Sequence, residues 1–272
     1  MYLKLKTFVK KKIIYNIASP ILSKIRILKN KHEGETCYLF GDGVSIKYFD
    51  LSSFADKVSF SLNWISVHKE FKELNCKYAF NTMPYYFYPR YNHPYTSNSL
   101  QKIHRNFINE NDQIKFFVNL SNYPILRNSN VFHLFNKIPD KKNNFLNDCY
   151  SNNISIFTGV FRYSISLAIY MGFKEIYLIG CDYTNKIIRR GHWYEKREGI
   201  IDAMPDYEKK FLNIASKYVK ITSINLNGDS INIPSILYSN FTGKKPKYRE
   251  NTELVDISIL KKMSKCSAFK IF

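Results

Sequence analysis

Short apolar runs alternate with amphipathic stretches through the middle of the 272-residue chain, which predicts alternating strands and helices. The predicted strands are Cys37–Phe40, Val58–Leu62, Lys77–Phe80, Ile114–Val118, Val131–Leu134, Glu175–Ile179 and Val219–Ile224. The predicted helices are Ile65–Leu74, Ser99–Asn109, Lys141–Tyr150, Gly159–Gly172 and Asp206–Lys217. This order is typical of a mostly parallel sheet covered on both faces. We therefore predict a single Rossmann-like α/β domain over residues 32–240.

Residues 1–31 have a different pattern, in which apolar residues recur at spacings of four and three along one face of a helix. They are Leu5, Val9, Ile13, Ile17, Ile21, Ile25 and Leu28, and the segment carries nine Lys or Arg and no acidic residue. Pro20 and Lys24 interrupt the apolar run that a signal peptide needs. Two interpretations remain open: a helix lying on an anionic membrane surface, or a helix packed on the domain with a solvated basic face.

Composition narrows the class of partner. The net charge of +19 favours an anionic ligand, such as a phosphorylated substrate, an anionic membrane or nucleic acid. We find no nucleic-acid-binding motif, and the charge is concentrated in residues 1–31 and in a basic C-terminal extension over residues 241–272. The five cysteines are scattered without a CxxC pair, which indicates reduced thiols in a cytoplasmic protein and no zinc site. Peripheral attachment to the inner face of the membrane and a homo-oligomer both stay open.

Glycine and polar residues follow several predicted strands. In "CYLFGDGVSIKYFD" the first strand leads into Gly41, Asp42 and Gly43, and Asn63 and Asn81 follow the next two strands. Ligands of parallel sheets lie outside the carboxyl ends of the strands. Glycines there let the backbone curve around a phosphate or ribose, although a tight strand-to-helix turn has the same composition. The asparagines suit a base or sugar edge, or the cap of the next element.

The segment "CDYTNKIIRRGHWYEKREG" follows the strand Glu175–Ile179 and is predicted to be a polar, basic loop. It carries one histidine, two tyrosines and a pair of adjacent arginines, which are His192, Tyr183, Tyr194, Arg189 and Arg190. Histidine is the side chain best matched to general-base catalysis near neutral pH, and arginines bind phosphate. The segment is therefore either a catalytic loop or a solvated loop with a surface histidine.

Four segments in order resemble the bacterial lipooligosaccharide sialyltransferases of glycosyltransferase family 42, and the wider group of surface-glycan proteins related to the motility accessory factors. They are "FGDGVSIKYFD", "SFSLNWISVHKEF", "CKYAFNTMPYYF" and "TGVFRYSISLAIYMGFKEIYLIGCDY", which lie within residues 37–224. The sequence departs from the family pattern at Asp42, where the family has Asn, and at Val44, where it has Pro.

The resemblance implies a GT-A-like transferase that moves sialic acid or a similar nonulosonate from a CMP donor to a surface-glycan acceptor, such as lipopolysaccharide or capsule. It implies an inverting displacement with neither a metal nor a cofactor, and the chain contains no Asp-x-Asp pair. The donor-binding positions that it implies are Gly41, Asp42, Gly43, Ser45, Asn63, Asn81, Thr158, Gly159 and Asp182. From the chemistry of the segment after Glu175–Ile179, we expect His192 to be the base, and we expect contacts to phosphate or acceptor from Tyr183, Arg189, Arg190 and Tyr194.

Two other classes of function stay open. A nucleotide or pterin pyrophosphokinase of the same broad superfamily would bind Mg²⁺ between strand-end carboxylates, for which Asp42 and Asp182 are available. A non-catalytic nucleotide-binding or nucleic-acid-binding protein would also be basic and aromatic. Dependence on metal separates the first from CMP-sugar transfer, and the absence of turnover separates the second.

Overall fold

Among the residues that the structure describes, the buried apolar runs form an eight-stranded sheet in which every pair of neighbours is parallel. The computed structural model describes residues 13–14, 16–91, 93–135, 159–203, 208–231 and 233–272. The strands of the sheet are β1 Thr36–Phe40, β2 Val58–Leu62, β3 Cys76–Asn81, β4 Lys115–Asn119, β5 Val131–Leu134, β6 Glu175–Ile179, β9 Lys220–Asn225 and β10 Ser235–Leu237. Their order in the sheet is β10-β9-β6-β1-β2-β3-β4-β5. The predicted α/β class and mostly parallel sheet are confirmed.

Helices cover the sheet, and a separate hairpin extends from the carboxyl end of β6. The α-helices are α1 Asn98–Glu110, α2 Val160–Tyr170, α3 Lys209–Ala215, α4 Tyr238–Thr242, α5 Asn251–Leu254 and α6 Ile257–Met263. Strands β7 Ile187–Arg190 and β8 Ile200–Ala203 pair antiparallel. Residues 16–22 are helical and lead into a 3₁₀ helix at Ser23–Leu28.

Alternate residues of the central strands feed two hydrophobic cores, one on each face of the sheet. In β1, Tyr38 and Phe40 pack into one core with residues of α1 and α6, whereas Cys37 and Leu39 pack into the other with residues of α2 and α3. Successive side chains of a strand point to opposite faces, so a strand buried on both sides must be apolar throughout. This accounts for the continuous apolar runs in the sequence.

The direction of the chain connections reverses between β1 and β6. From β1 the chain adds β2, β3, β4 and β5 on one side, and β6, β9 and β10 lie on the other. The crevice outside the carboxyl ends of two such strands is where ligands bind in open α/β sheets. The residues that follow β1 and β6 therefore lie at the expected place for a site.

Two local predictions were wrong. Residues 65–74 form two 3₁₀ helices, Ile65–Val67 and Lys69–Glu73, rather than one helix. His68 has an extended backbone between them, and its Nδ1 accepts a hydrogen bond from the N–H of Glu70, which caps the second turn. The segment after Asp182 is not a plain loop, because it contains the β7–β8 hairpin. The predicted helix Lys141–Tyr150 and the start of Asp206–Lys217 lie outside the described residues.

Both basic end segments contribute to the core. Ile25 and Leu28 are buried against the sheet, whereas Ile13 and Ile17 are exposed. In residues 241–272, seven apolar side chains are buried with those of β1: Leu254, Val255, Leu260, Met263, Cys266, Phe269 and Ile271. Within the described ranges, we find no helix that is both long and apolar enough to cross a membrane.

Candidate functional site

The two glycines after β1 are required by a close contact with the end of β6. A Cβ atom on Gly43 would lie 2.5 Å from the carbonyl oxygen of Gly180 and 2.5 Å from Cγ of Asp182. A Cβ on Gly41 would lie 2.6 Å from the same carbonyl oxygen. The N–H of Gly43 donates to that oxygen at 2.7 Å. Packing of the two strand ends therefore accounts for the Gly-Asp-Gly sequence, and the glycines also form part of a cavity wall.

Asp182 fixes the turn that follows these glycines. Its Oδ2 accepts a hydrogen bond from the N–H of Ser45 at 2.9 Å, and its Oδ1 accepts one from the Ser45 hydroxyl. Both residues are buried. Burial raises the pKa of Asp182, and the bonds from Ser45 oppose this shift. Asp182 and Ser45 thus bind each other, and both residues line a neighbouring cavity of about 350 Å³.

A cavity of about 480 Å³ lies at the carboxyl ends of β1 and β6. Six residues singled out from the sequence line it: Gly41, Asp42, Gly43, Asn63, Tyr183 and His192. The start of α2 forms another wall, through Val160, Phe161 and Arg162. The cavity thus lies at the crevice that the sheet order indicates, and it combines strand ends, a helix start and the hairpin segment.

Asp42 lies at the floor of this cavity with its carboxylate directed toward two tryptophans. Its Oδ1 accepts from the N–H of Trp64 at 3.3 Å and from Nε1 of Trp193 at 3.4 Å. Burial raises the pKa of Asp42 to about 6, although His192 and a hydrogen bond from Asn63 act in the opposite direction. Protein donors therefore bind this buried carboxylate.

His192 is held beside Asp42 by backbone and side-chain contacts. It forms an isolated antiparallel bridge with Gly43, and the next residue, Trp193, donates its N–H to the carbonyl of Asp42 at 3.2 Å. Nδ1 of His192 lies 3.0 Å from Oε2 of Glu195. Burial lowers the pKa of His192, but the Glu195 hydrogen bond and the nearby carboxylates outweigh burial and raise it above its ordinary value. The side chain stays 30% exposed, so a ligand in the cavity can reach the ring.

Arg162 is a site residue that our sequence analysis missed. It lies in the first turn of α2, lines the cavity, and its Nε is 2.8 Å from Oε2 of Glu208. First-turn N–H groups have no intrahelical acceptor and carry the positive end of the helix dipole, so anions bind there. An arginine in the first turn of the predicted helix Gly159–Gly172 was the available signal.

Several predicted site residues lie elsewhere. Asn81 lines a separate small cavity, where its Nδ2 is 3.3 Å from Nδ1 of His104. Arg189 pairs with Glu198 at 3.0 Å, and Arg190 pairs with Asp202 on the hairpin. Gly159 is the exposed N-cap of α2, and Thr158 lies outside the described residues.

Tyr194 is buried rather than exposed to a ligand. Its ring stacks on that of His192, with centroids 5.0 Å apart and an interplanar angle of 6°. The ring of Phe269 packs edge-on against the Tyr194 ring, with centroids 5.4 Å apart. One face of the His192 imidazole therefore packs on Tyr194, whereas Tyr183 is half exposed at the cavity wall.

The two carboxylates considered for Mg²⁺ have separate protein partners. Asp182 binds Ser45, and Asp42 accepts hydrogen bonds from Trp64 and Trp193. In the part of the chain that the structure describes, no group of three or more His, Cys, Asp or Glu side chains is arranged to hold a metal ion. Each of the two carboxylates that the pyrophosphokinase alternative would pair therefore has protein hydrogen-bond donors of its own.

Comparison with known proteins gives only distant structural likenesses. The monofunctional α-2,3-sialyltransferase Cst-I from Campylobacter jejuni is 14% identical, with a TM-score of 0.41 and coverage of 86% of this chain and 94% of that chain. The sialyltransferase CstII from Campylobacter jejuni, in complex with a substrate analogue, is 18% identical, with a TM-score of 0.35 and coverage of 86% and 99%. A mutant of the α-2,3/8-sialyltransferase CstII is 16% identical, with a TM-score of 0.40 and coverage of 81% and 95%. No family model and no curated protein matches the chain. Likenesses this distant assign neither an activity nor a ligand to it.

Proposed function

We propose that this protein is a glycosyltransferase that moves an acidic sugar, sialic acid or a similar nonulosonate, from a CMP donor to a surface-glycan acceptor. The observation that carries the proposal is the position of His192, a carboxylate-bound imidazole at a cavity whose other wall is the start of α2 with Arg162. A base and an anion-binding surface face one space, and this is the pair of groups that transfer from a sugar phosphate requires.

The donor would bind with its phosphate near the start of α2. A CMP-sugar has a single phosphate, so the first turn of α2 and the guanidinium of Arg162, which also pairs with Glu208, would bind it without a metal. The nucleoside would lie over the strand ends, where Gly41 and Gly43 line the cavity and the side-chain amide of Asn63 would meet the base or sugar. The closely packed glycines leave no side chain between the ligand and the backbone.

Transfer would proceed as a direct inverting displacement. The acceptor hydroxyl gives its proton to His192 as its oxygen attacks the anomeric carbon from the face opposite the phosphate. The bond between the anomeric carbon and the phosphate oxygen breaks, and CMP leaves with the electron pair. General-base assistance of this kind typically contributes about 10²–10⁴-fold to the rate.

A thermal-shift and unfolding experiment with CMP, CDP, UDP, GDP and AMP in EDTA tests the donor class. CMP at a hundred times its dissociation constant should raise the free energy of unfolding by ~2.7 kcal/mol, because it binds only the folded chain. Arg162→Gln should weaken this effect, whereas Arg127→Gln, a change outside the cavity, should not. Equal stabilisation by all five nucleotides, or a strict need for Mg²⁺, would refute the proposal.

A further inference from the structure

Glu195 has two carboxylate oxygens, and each binds a different part of the molecule. Oε2 accepts a hydrogen bond from the backbone N–H of His192 at 2.8 Å and lies 3.0 Å from Nδ1 of the same residue. Oε1 accepts a hydrogen bond from the backbone N–H of Lys270 at 2.9 Å. The carboxylate is therefore a bridge between the candidate base and a segment 75 residues away along the chain.

The segment Phe269–Phe272 is hydrogen-bonded to the loop that carries His192 and Glu195. The N–H of Lys196 donates to the carbonyl of Lys270 at 2.8 Å. The side-chain amide of Asn251 donates to the carbonyls of Tyr194 and Ile271, at 3.0 Å each. Ile271 is also buried, so its side chain anchors the segment in the core.

The Glu195 contact determines which ring nitrogen of His192 carries the proton. An ionised carboxylate only accepts hydrogen bonds, so the nitrogen facing it must be protonated. In the neutral imidazole the proton is then on Nδ1, and Nε2 is the basic nitrogen. Burial raises the pKa of Glu195, but hydrogen bonds from His192 and Lys270 outweigh burial and keep it below its ordinary value. Glu195 is therefore ionised when His192 is neutral.

We propose that Glu195 is a positioning residue for His192, and that the backbone of segment Phe269–Phe272 holds Glu195 so that Nε2 of His192 is presented to the acceptor hydroxyl. The role in transfer rests on the proposed function, whereas the tautomer and its control by Lys270 do not. A segment remote in sequence from every strand-end motif thus becomes part of the site.

The charged groups that act on the imidazole come from two places. Asp42 follows β1, and Glu195 lies in the loop of His192 itself, where the ring of Tyr194 stacks on the imidazole. The two carboxylates both raise the pKa of His192. A substitution at Glu195 should therefore lower this pKa while the contribution of Asp42 remains.

Nitrogen NMR of the ¹⁵N-histidine-labelled full chain tests the tautomer directly. The neutral His192 ring should carry its proton on Nδ1, and Glu195→Gln should lower the pKa of His192. Glu198→Gln is the matched control, because Glu198 lies in the same loop but pairs with Arg189. A neutral ring protonated on Nε2, or a His192 pKa that is the same in Glu195→Gln and the unmodified chain, would overturn the proposal.

A pair of substitutions at Lys270 tests the backbone bond. Lys270→Pro removes the N–H that binds Glu195, whereas Lys270→Ala keeps it, so only the proline variant should change the His192 pKa. In transfer assays, Glu195→Gln should lower kcat by at least about 10-fold with the donor KM unchanged, since loss of the orienting carboxylate of a Ser-His-Asp triad costs ~10⁴-fold. Equal His192 pKa values in the two Lys270 variants would refute the backbone role. Failure of CMP to bind would instead refute the donor proposal and leave the NMR result standing.

Discussion

Two aspartates follow adjacent parallel strands at the centre of the sheet, and the structure uses them differently. Asp182, after β6, is 5% exposed and binds the N–H and hydroxyl of Ser45. Asp42, after β1, is partly exposed at the cavity and lies near His192. The first fixes the backbone, and the second acts on the charge of the candidate base. The same residue type at the same kind of strand end therefore has a role that its contacts decide, not its position.

The largest expected effect comes from replacing His192, the candidate base near Asp42. His192→Ala should lower the single-turnover transfer rate by about 10²–10⁴-fold, because the acceptor hydroxyl loses its proton acceptor. Affinity for CMP should stay within about twofold, since the donor contacts lie on the strand ends and α2. Single-turnover transfer and CMP titration on the same preparation measure the two effects.

The control for this variant is His93→Ala, because His93 lies outside the cavity and forms a local bridge with Thr96. Its transfer rate should match that of the unmodified chain. If His192→Ala transferred at the unmodified rate, His192 would not be the base. The proposal that Asp42 acts on the reaction while Asp182 only fixes the backbone would then be wrong.

The next largest effect is a loss of folding stability when Asp182 is replaced. Asp182→Ala leaves the N–H and hydroxyl of Ser45 buried without their acceptor, which should cost about 1–3 kcal/mol of unfolding free energy. Asp182→Asn keeps one acceptor oxygen and should cost less. Urea denaturation of both variants, beside Asp42→Asn, measures the ranking.

Asp42→Asn should lose little stability or gain some. The pKa of Asp42 is raised to about 6, so the folded state binds a proton more tightly than the unfolded state does. Its contribution is therefore fully present below the unfolded value of about 3.9 and declines as the pH rises toward 6. Replacing it by a neutral amide removes this decline. A loss larger than that of Asp182→Ala would contradict the assignment of roles.

The central sheet was predictable from sequence, whereas the partners of the site residues were not. Strands β1 and β6 are continuous apolar runs because both of their faces are buried, and their order places Asp42 and Asp182 at one edge. Glu195 gave no such signal, because its role depends on the backbone N–H of Lys270. The hairpin was missed because β7 and β8 have four residues each, with charged side chains among the isoleucines.

A smaller effect is expected for the exposed part of the N-terminal helix. Ile13 and Ile17 are 54% and 75% exposed, whereas Ile25 and Leu28 of the same predicted stripe are buried in the domain. The double change Ile13→Ser and Ile17→Ser should weaken sedimentation with anionic vesicles, by at most ~1.5–3 kcal/mol for each side chain, which is the contribution of its full burial. Ile27→Ser, an exposed position outside the stripe, is the control. Unchanged sedimentation of the double variant would indicate that the segment serves the fold alone.

The smallest expected effect is a change in the pH dependence of transfer, and it returns to the comparison of the two aspartates. His192 must be neutral to accept a proton, so transfer should rise with pH through the His192 pKa, which lies above its ordinary value. Asp42→Asn removes one of the charges that raise this pKa, so the rising limb of the pH profile should move to lower pH. Asp182→Asn should leave the limb in place, because Asp182 is not among the groups that change the His192 pKa. Transfer should be measured from about pH 5 to 9, a range that brackets the titration of histidine, in the unmodified chain, Asp42→Asn and Asp182→Asn. Equal displacement of the rising limb by both substitutions would show that the two aspartates act on the base alike.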